Sequence, residues 1–457
     1  MKTGTLTALV MVWTAGSALG QDLTRVAPPQ TRAVIIRNAT IHPVAKGAIE
    51  NGAVMFAEGK LSGVYTGKEL DDLLSRSRFA APGPEIIDAK GKHVYPGLIA
   101  AYSTLGISEI ASLRQSRDSD EVGDVTPEVV PATAVNPDST LIPVARAGGV
   151  FAAGIFPGGG TVPGQVSVIR LHGWTSDDLA VQRSAGVFVS WPWMRSASED
   201  DRPRGGGPGG DRGDAGGRQD SSDGLAKLRE VFDKARAYDA ERRAYPDRSV
   251  DLRWEAMRAL FAEGDKQARV FVSANDVDQI ASAAGFLGER KLKGVIVGGR
   301  DAALAAEMLK KYDIPVILDG THKLPKRADS GYDDVFRTPA ILKGLGVRFC
   351  IASGEEPANE RNVNHAAGTA AAFGLPQEDA VKAITLWAAE ILGVGDRLGT
   401  LEAGRPATLL IADGNILEVT TRVERGWIDG RAVDLSNKQT ELLKKYEEKY
   451  RQRGELK

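Results

Sequence analysis

Short apolar runs bounded by polar or glycine turns recur along most of the chain, and their spacing divides it into three stretches. Between Ala33 and Asp88 the runs are Val34-Ile35-Ile36, Ala53-Val54-Met55-Phe56 and Leu61 to Tyr65, the last two joined by a turn at Glu58-Gly59-Lys60. Branched and aromatic residues in runs of this length predict strands. A second block of the same kind spans Ala407 to Ala412 and Thr421 to Val433, with Asp429-Gly430 as a hairpin-turn signal. Two strand-rich blocks flanking a long middle predict one small sheet domain assembled from both chain ends.

The middle alternates strands with helices. Gly149 to Phe156, Val166 to Leu171, Val270 to Ala274, Gly294 to Val297, Pro315 to Leu318 and Val347 to Ala352 read as strands. Asp276 to Leu287 and Asp301 to Lys311 read as helices between them. Such alternation over about 300 residues predicts a parallel α/β barrel, with its functional face at the C-terminal ends of the strands.

Between Glu199 and Gly224 apolar residues nearly vanish around Gly205-Gly206-Gly207-Pro208-Gly209-Gly210, so this insert cannot bury a core and is expected to be a disordered loop. No P-loop Lys-Ser or Lys-Thr follows it, which excludes a phosphate cradle. Leu225 to Tyr245 reads as a charged helix. The tail from Ser436 to Lys457 reads as a solvated helix with Leu442, Leu443 and Tyr446 on its apolar side. The expected organisation is therefore a signal peptide at 1–20, a sandwich from 33–88 plus 398–435, a barrel over 89–397 and a terminal helix at 436–457.

With 457 residues, 42% of them hydrophobic, the chain is long enough for a large core and a smaller one. The net charge of -2, from 58 basic and 60 acidic residues, indicates no face for nucleic acid. At the start, Lys2, the apolar run Leu6 to Ala15 and the small residues Ala18-Leu19-Gly20 form a secretory leader, with cleavage expected near Gly20 and a mature start near Gln21. The product is expected to be exported, periplasmic or secreted, and no run reaches the roughly 20 apolar residues of a membrane span. Cys350 is the only cysteine and sits in the apolar run Val347 to Ala352, so it reads as a buried hydrophobe and no internal disulfide can form.

The segment Ile86-Ile87-Asp88-Ala89-Lys90-Gly91-Lys92-His93-Val94-Tyr95-Pro96-Gly97-Leu98-Ile99 resembles the entry to the barrel in the amidohydrolase superfamily. Thr385 to Gly393, Leu398 to Gly404 and Ala407 to Asp413 resemble that family's return into its sandwich, and the frame spans nearly the whole mature chain. Within the superfamily the chain is similar to the imidazolonepropionase-like proteins. The resemblance implies a distorted (β/α)8 TIM barrel with a small composite β-sandwich, and hydrolysis of carbon-nitrogen bonds in cyclic or linear amides. It also implies zinc or another divalent metal, held by imidazoles and a carboxylate at the strand ends, that makes a hydroxide nucleophile.

Set on that frame, the His-x-His positions carry Tyr102-Ser103-Thr104, and the Asp that commonly precedes them is Ala100. The two single-His positions fall on Ser273 and Gly298, and the Asp position on Gly354 with Glu355 one step later. The chain has five histidines, His42, His93, His172, His322 and His365, with no pair at metal-binding spacing. No metal or other cofactor is therefore expected.

His322, in the loop after Pro315 to Leu318, is placed where a pocket residue belongs, although a solvated loop histidine is the favoured reading, since pocket-facing loops carry many idle polar residues. Glu355 and Glu356 are adjacent and tend to point apart, which favours solvated charge over a paired acid and base, with Glu355 the polar candidate at the mouth. Gly158-Gly159-Gly160-Thr161-Val162-Pro163-Gly164-Gln165 can present amides to an anion or turn the chain between two strands. Three functional readings stay open. One is a metal-free barrel that binds a small molecule, a pseudoenzyme in its residue chemistry. Another is an active hydrolase using Glu355 or His322. The third is a structural or regulatory subunit of a related amidohydrolase.

Overall fold

The structure is a computed structural model describing residues 26–76, 83–110, 112–194, 221–325, 330–354 and 356–456. The expected leader, most of the glycine-rich insert and Glu355 lie outside the described residues.

Five strands open the chain: β1 (Val34–Ile41), β2 (Ile49–Ala57), β3 (Lys60–Thr66), β4 (Glu85–Asp88) and β5 (His93–Pro96). Eight follow in the middle: β6 (Leu98–Ser103), β7 (Val150–Ile155), β8 (Gly164–Arg170), β9 (Ala180–Ser190), β10 (Arg269–Ala274), β11 (Lys293–Gly298), β12 (Val316–Leu318) and β13 (Phe349–Ile351). Three close it: β14 (Leu409–Ala412), β15 (Val423–Ile428) and β16 (Arg431–Val433). The first and last groups share one sheet in the order β16-β15-β14-β5-β1-β2-β3, with β4 paired to β1. The seam between the chain ends is the antiparallel β14–β5 pair, where Leu410 faces Tyr95. Asp429 and Gly430, at φ +50° and +75°, turn β15 into β16 in the left-handed conformation this dipeptide tolerates.

The middle strands form a nearly closed barrel sheet in the order β13-β12-β11-β10-β9-β8-β7-β6. One strand breaks the parallel pattern: β8 runs antiparallel to both β7 and β9. The cause is local. Only Phe156 to Pro163 separates β7 from β8, too few residues for the crossover that parallel neighbours need, so the glycine run makes a hairpin. Between the edge strands β6 and β13 lies the helix Leu386–Leu392, with the Ile384 carbonyl accepting from the Ile99 amide at 2.9 Å and Trp387 edge-on to Phe349.

Strand alternation sorts the barrel core into two shells. Ile99, Phe271, Val295, Val297, Ile317 and Cys350 fill the axis, while Val270, Val272, Ile296, Val316 and Phe349 pack outward against helices. Cys350 is fully buried, and its thiol pKa is raised by desolvation. Helix boundaries shift from expectation at two points. The helix Ser221–Ala244 starts inside the expected insert, and the stretch from Asp301 becomes helical only at Ala306–Lys311. Among the described residues no helix is long and apolar enough to cross a membrane.

Candidate functional site

The C-terminal ends of β6, β10, β11, β12 and β13 meet at one face, the mouth of the barrel. An aromatic cluster lies along the axis directly beneath it. Phe156, at the end of β7 and 1% exposed, takes edge-on contacts from Tyr102 at 4.9 Å, Phe188 at 5.2 Å and Phe271 at 5.5 Å between centroids. Each such pair adds about 0.5–1.5 kcal/mol beyond the area it buries. Tyr102 is thus a packing residue, its ring set on Phe156.

Above this cluster sits a polar group that sequence reasoning missed. Glu360, in the short turn Pro357–Asn362 after β13, is completely buried. Ser353, just past β13, donates its hydroxyl to Glu360 Oε2, and the Ser103 hydroxyl, from the end of β6, also bonds the carboxyl. Ser103 Oγ accepts the Leu105 amide at 3.0 Å as well, which fixes its rotamer. Burial pushes the Glu360 pKa up to about 8, the two hydroxyls pull against that rise, and the nearby Asp319 charge adds to it. At neutral pH the group is a carboxylic acid. Asp319 itself is ion-paired with Lys323. Nothing in Pro357-Ala358-Asn359-Glu360-Arg361-Asn362 signals burial, since every neighbour reads as a polar turn.

The residues picked out by sequence reach the mouth in different ways. Thr104 is half-buried and turns the chain, its carbonyl accepting the Ile107 and Ser108 amides at 3.1 Å. Ser273 is half-buried, and its carbonyl accepts the Trp191 amide at 3.2 Å. Gly298 has φ +102°, a conformation that favours glycine, and a Cβ there would lie 2.6 Å from Asn275 Oδ1, so the Asn275 amide would have to shift for any side chain. Gly354 has φ +115°, with Asp319 Oδ1 3.9 Å from where its Cβ would be. His322 is exposed and hydrogen-bonds Thr369 Oγ1 at 2.8 Å, on the helix Val363–Ala372. Partial burial, with the His322 and Arg361 charges adding to it, lowers the pKa of His365 on the same helix. In the glycine run, the Thr161 amide and hydroxyl are both bound by Asp124 Oδ1 at 3.0 Å, and Asp124 pairs with Lys227 at 2.5 Å. That loop already holds an anion of its own.

A divalent metal of the kind the family resemblance implies does not fit these residues. Hydroxyls from Thr104 and Ser273, the Tyr102 phenol and two glycines offer no imidazole or carboxylate pair. At φ +102° position 298 disfavours any side chain, and the nearby Glu360 is protonated and bonded by Ser353 and Ser103. Among the described residues no group of three or more His, Cys, Asp and Glu is placed to hold a metal ion.

Comparison with known proteins places the chain among related folds. Residues 292–433 match the amidohydrolase family model. The curated protein "Amidohydrolase tasK" of Hapsidospora irregularis is 25% identical over 387 residues, which is 76% of this chain and 37% of that protein. The chain thus spans little more than a third of that relative's length. The crystal structure of an amidohydrolase from Thermotoga maritima MSB8 superposes with a TM-score of 0.73 at 25% identity, covering 88% of this chain and 99% of that one. A Xaa-Pro dipeptidase with methionine bound in its active site shares the fold, with a TM-score of 0.51 at 14% identity over 88% of this chain and 100% of that one.

Proposed function

Because the chain belongs to the amidohydrolase superfamily of hydrolases, we propose that it retains that barrel as an exported, metal-independent module that binds a small molecule rather than hydrolysing amides through a metal. The observation that carries this reading is the neutral Glu360 acid, held between Ser103 and Ser353 over the aromatic cluster of Phe156. Metal-dependent hydrolysis needs a cationic centre that lowers the pKa of a water to near neutrality. A protonated carboxyl flanked by hydroxyls does the opposite. Buried and protonated, it carries no charge with which to hold the ion.

Export rests on the leader of residues 1–20 read from the sequence, with Gln21 as the first mature residue. The imidazolonepropionase-like subgroup rests on the barrel-entry and return segments, not on the mouth. The decisive experiment is elemental analysis of the protein purified from its exporting host, paired with hydrolysis assays on N-acyl amino acids, Xaa-Pro dipeptides and cyclic ureides, with and without added zinc. Substoichiometric metal and turnover at the blank rate in both conditions support the reading. One or more tightly held metal ions per chain, with chelator-sensitive hydrolysis, would overturn it.

A further inference from the structure

The foot of the barrel, opposite the mouth, holds a cavity of about 440 Å³ where the composite sheet meets the end of β8. Its walls include Lys60, Arg170, His172, Trp174 and Arg431, with Glu58 at the rim. Arg170 faces the start of β7 through its pairing with Ala152, which sets the cavity at the N-terminal side of the barrel. The volume falls in the range of small-molecule sites.

Three observations define what would fit. Trp174 is 71% exposed, and its backbone is anchored at the cavity: Asp178 Oδ2 accepts the Trp174 and Thr175 amides at 3.1 Å in a capping box. A large indole held at a cavity rim is a ready platform for a flat ring. His172 is only 5% exposed, and both of its ring nitrogens are buried without a well-formed hydrogen bond, although the Ala27 carbonyl lies beside the ring. A buried polar group in that state is stabilised by any ligand atom that completes its bonding.

Charge supplies the third. Of the three lining carboxylates, Asp429 is paired with Arg170 and Asp178 is used in the cap. The capping amides leave the Asp178 charge in place, so Lys60, Arg170 and Arg431 face as many carboxylates, but neither Lys60 nor Arg431 has a carboxylate at ion-pair distance among the described residues. Arg146, 1% exposed and partly offset by Asp434, adds positive potential behind His172. Lys60 and Arg431 are thus the lining cations placed to take an oxyanion, and a guanidinium favours a planar one.

We propose that this cavity is a binding site for a small aromatic carboxylate, with its ring on Trp174 and its carboxylate between Lys60 and Arg431. The site is separate from the mouth and stands whether or not the mouth binds anything.

The test uses the full mature protein, titrated by calorimetry with benzoate and 2-naphthoate, and with benzyl alcohol and benzylammonium as neutral and cationic counterparts. The expected result is saturable one-site binding of the carboxylates, at least about tenfold weaker for the other two. Trp174→Ala and Arg431→Gln should each weaken carboxylate binding about tenfold or more, with near-ultraviolet circular dichroism confirming that both variants are folded. Three results would overturn the proposal: no saturable binding of either carboxylate, equal binding of benzylammonium, or carboxylate binding that both variants leave unchanged.

Discussion

The mouth and the foot of this barrel each bury a titratable side chain and force it neutral, but they do so with opposite chemistry and in different surroundings, one against packed rings and the other against a cavity. At the mouth, burial raises Glu360 to about 8, and Ser353 and Ser103 bond its carboxyl while Oε1 keeps no well-formed hydrogen bond, close to a packed aromatic cluster. At the foot, burial beside Arg146 lowers His172 to about 4, and the ring nitrogens have no well-formed hydrogen bond, with the Ala27 carbonyl beside the ring and a cavity of about 440 Å³ next to it. In barrels of this kind the C-terminal face is where chemistry is expected. Here both ends keep buried polar atoms with unfinished bonding, and at the foot they border a cavity. An incompletely satisfied buried group is costly to stability, so a ligand in the cavity beside His172 has bonding to complete.

The strongest way to break this contrast is to probe packing at each end. Phe156→Ala removes the ring that Tyr102, Phe188 and Phe271 all touch, and should cost about 3–5 kcal/mol in urea unfolding. Trp174→Ala, at the exposed rim of the foot, should stay within about 0.5 kcal/mol. Equal losses at the two positions would mean that the mouth is no more tightly built than the foot.

The second comparison uses pH, because the two buried groups pull stability in opposite directions. Glu360 has a folded pKa above its unfolded one, so the folded state holds the extra proton between about 4.5 and 8 and loses stability as pH rises through that window. For His172 the folded pKa lies below the unfolded one, so the unfolded state holds the extra proton between about 4 and 6.5. Its contribution is present above that window and lost as pH falls through it. His42, also lowered to about 4 by burial and by His93, bends the wild-type curve the same way, so each group is read as wild type minus variant. Relative to Glu360→Gln, the wild type should weaken with rising pH by up to about 1.4 kcal/mol per unit. Relative to His172→Gln, it should weaken with falling pH below about 6.5. Urea midpoints measured from pH 4 to 9 check both. A flat difference for either variant removes that end from the comparison.

Much of this frame was legible in the chain, and what was not follows a physical rule. Strands were visible wherever branched residues clustered, as in Val34-Ile35-Ile36 or Val270 to Ala274, because that local signal needs no partner. The Asp429-Gly430 turn and the Asp276 start of the helix Val277–Glu289, capped reciprocally with Gln279, were visible for the same reason. The helix Gly67–Arg76 was not, since only Leu70 is buried in an otherwise polar run. On the terminal helix, Leu442, Leu443 and Tyr446 share the expected apolar side but stay 41–59% exposed, because periodicity names a face without supplying something to cover it. At the mouth the strand-end positions could be found from the family frame. That Asn275 lies over Gly298, and that Ser103 and Ser353 close on Glu360, are contacts between distant segments that no local pattern encodes. The same holds at the foot, where His172, Arg146 and Asp434 act on one another only through the fold.

The smallest expected effect sharpens what holds the mouth acid. Ser353→Ala deletes the hydroxyl that donates to Glu360 Oε2 while changing little volume, so the aromatic cluster beneath should stay packed. The cost at pH 6 should be about 1 kcal/mol, the loss of one hydrogen bond to a neutral acid. It should grow above pH 8, because the ionised carboxyl depends more on each donor than the protonated one does, and the Glu360 pKa should move further up. Urea unfolding of the variant at pH 6 and 9 measures both parts. A loss that is the same at the two pH values would mean that Ser353 supports the strand end rather than the acid. Glu360 would then be as weakly anchored as His172, and the two ends of the barrel would differ only in the sign of the charge they suppress.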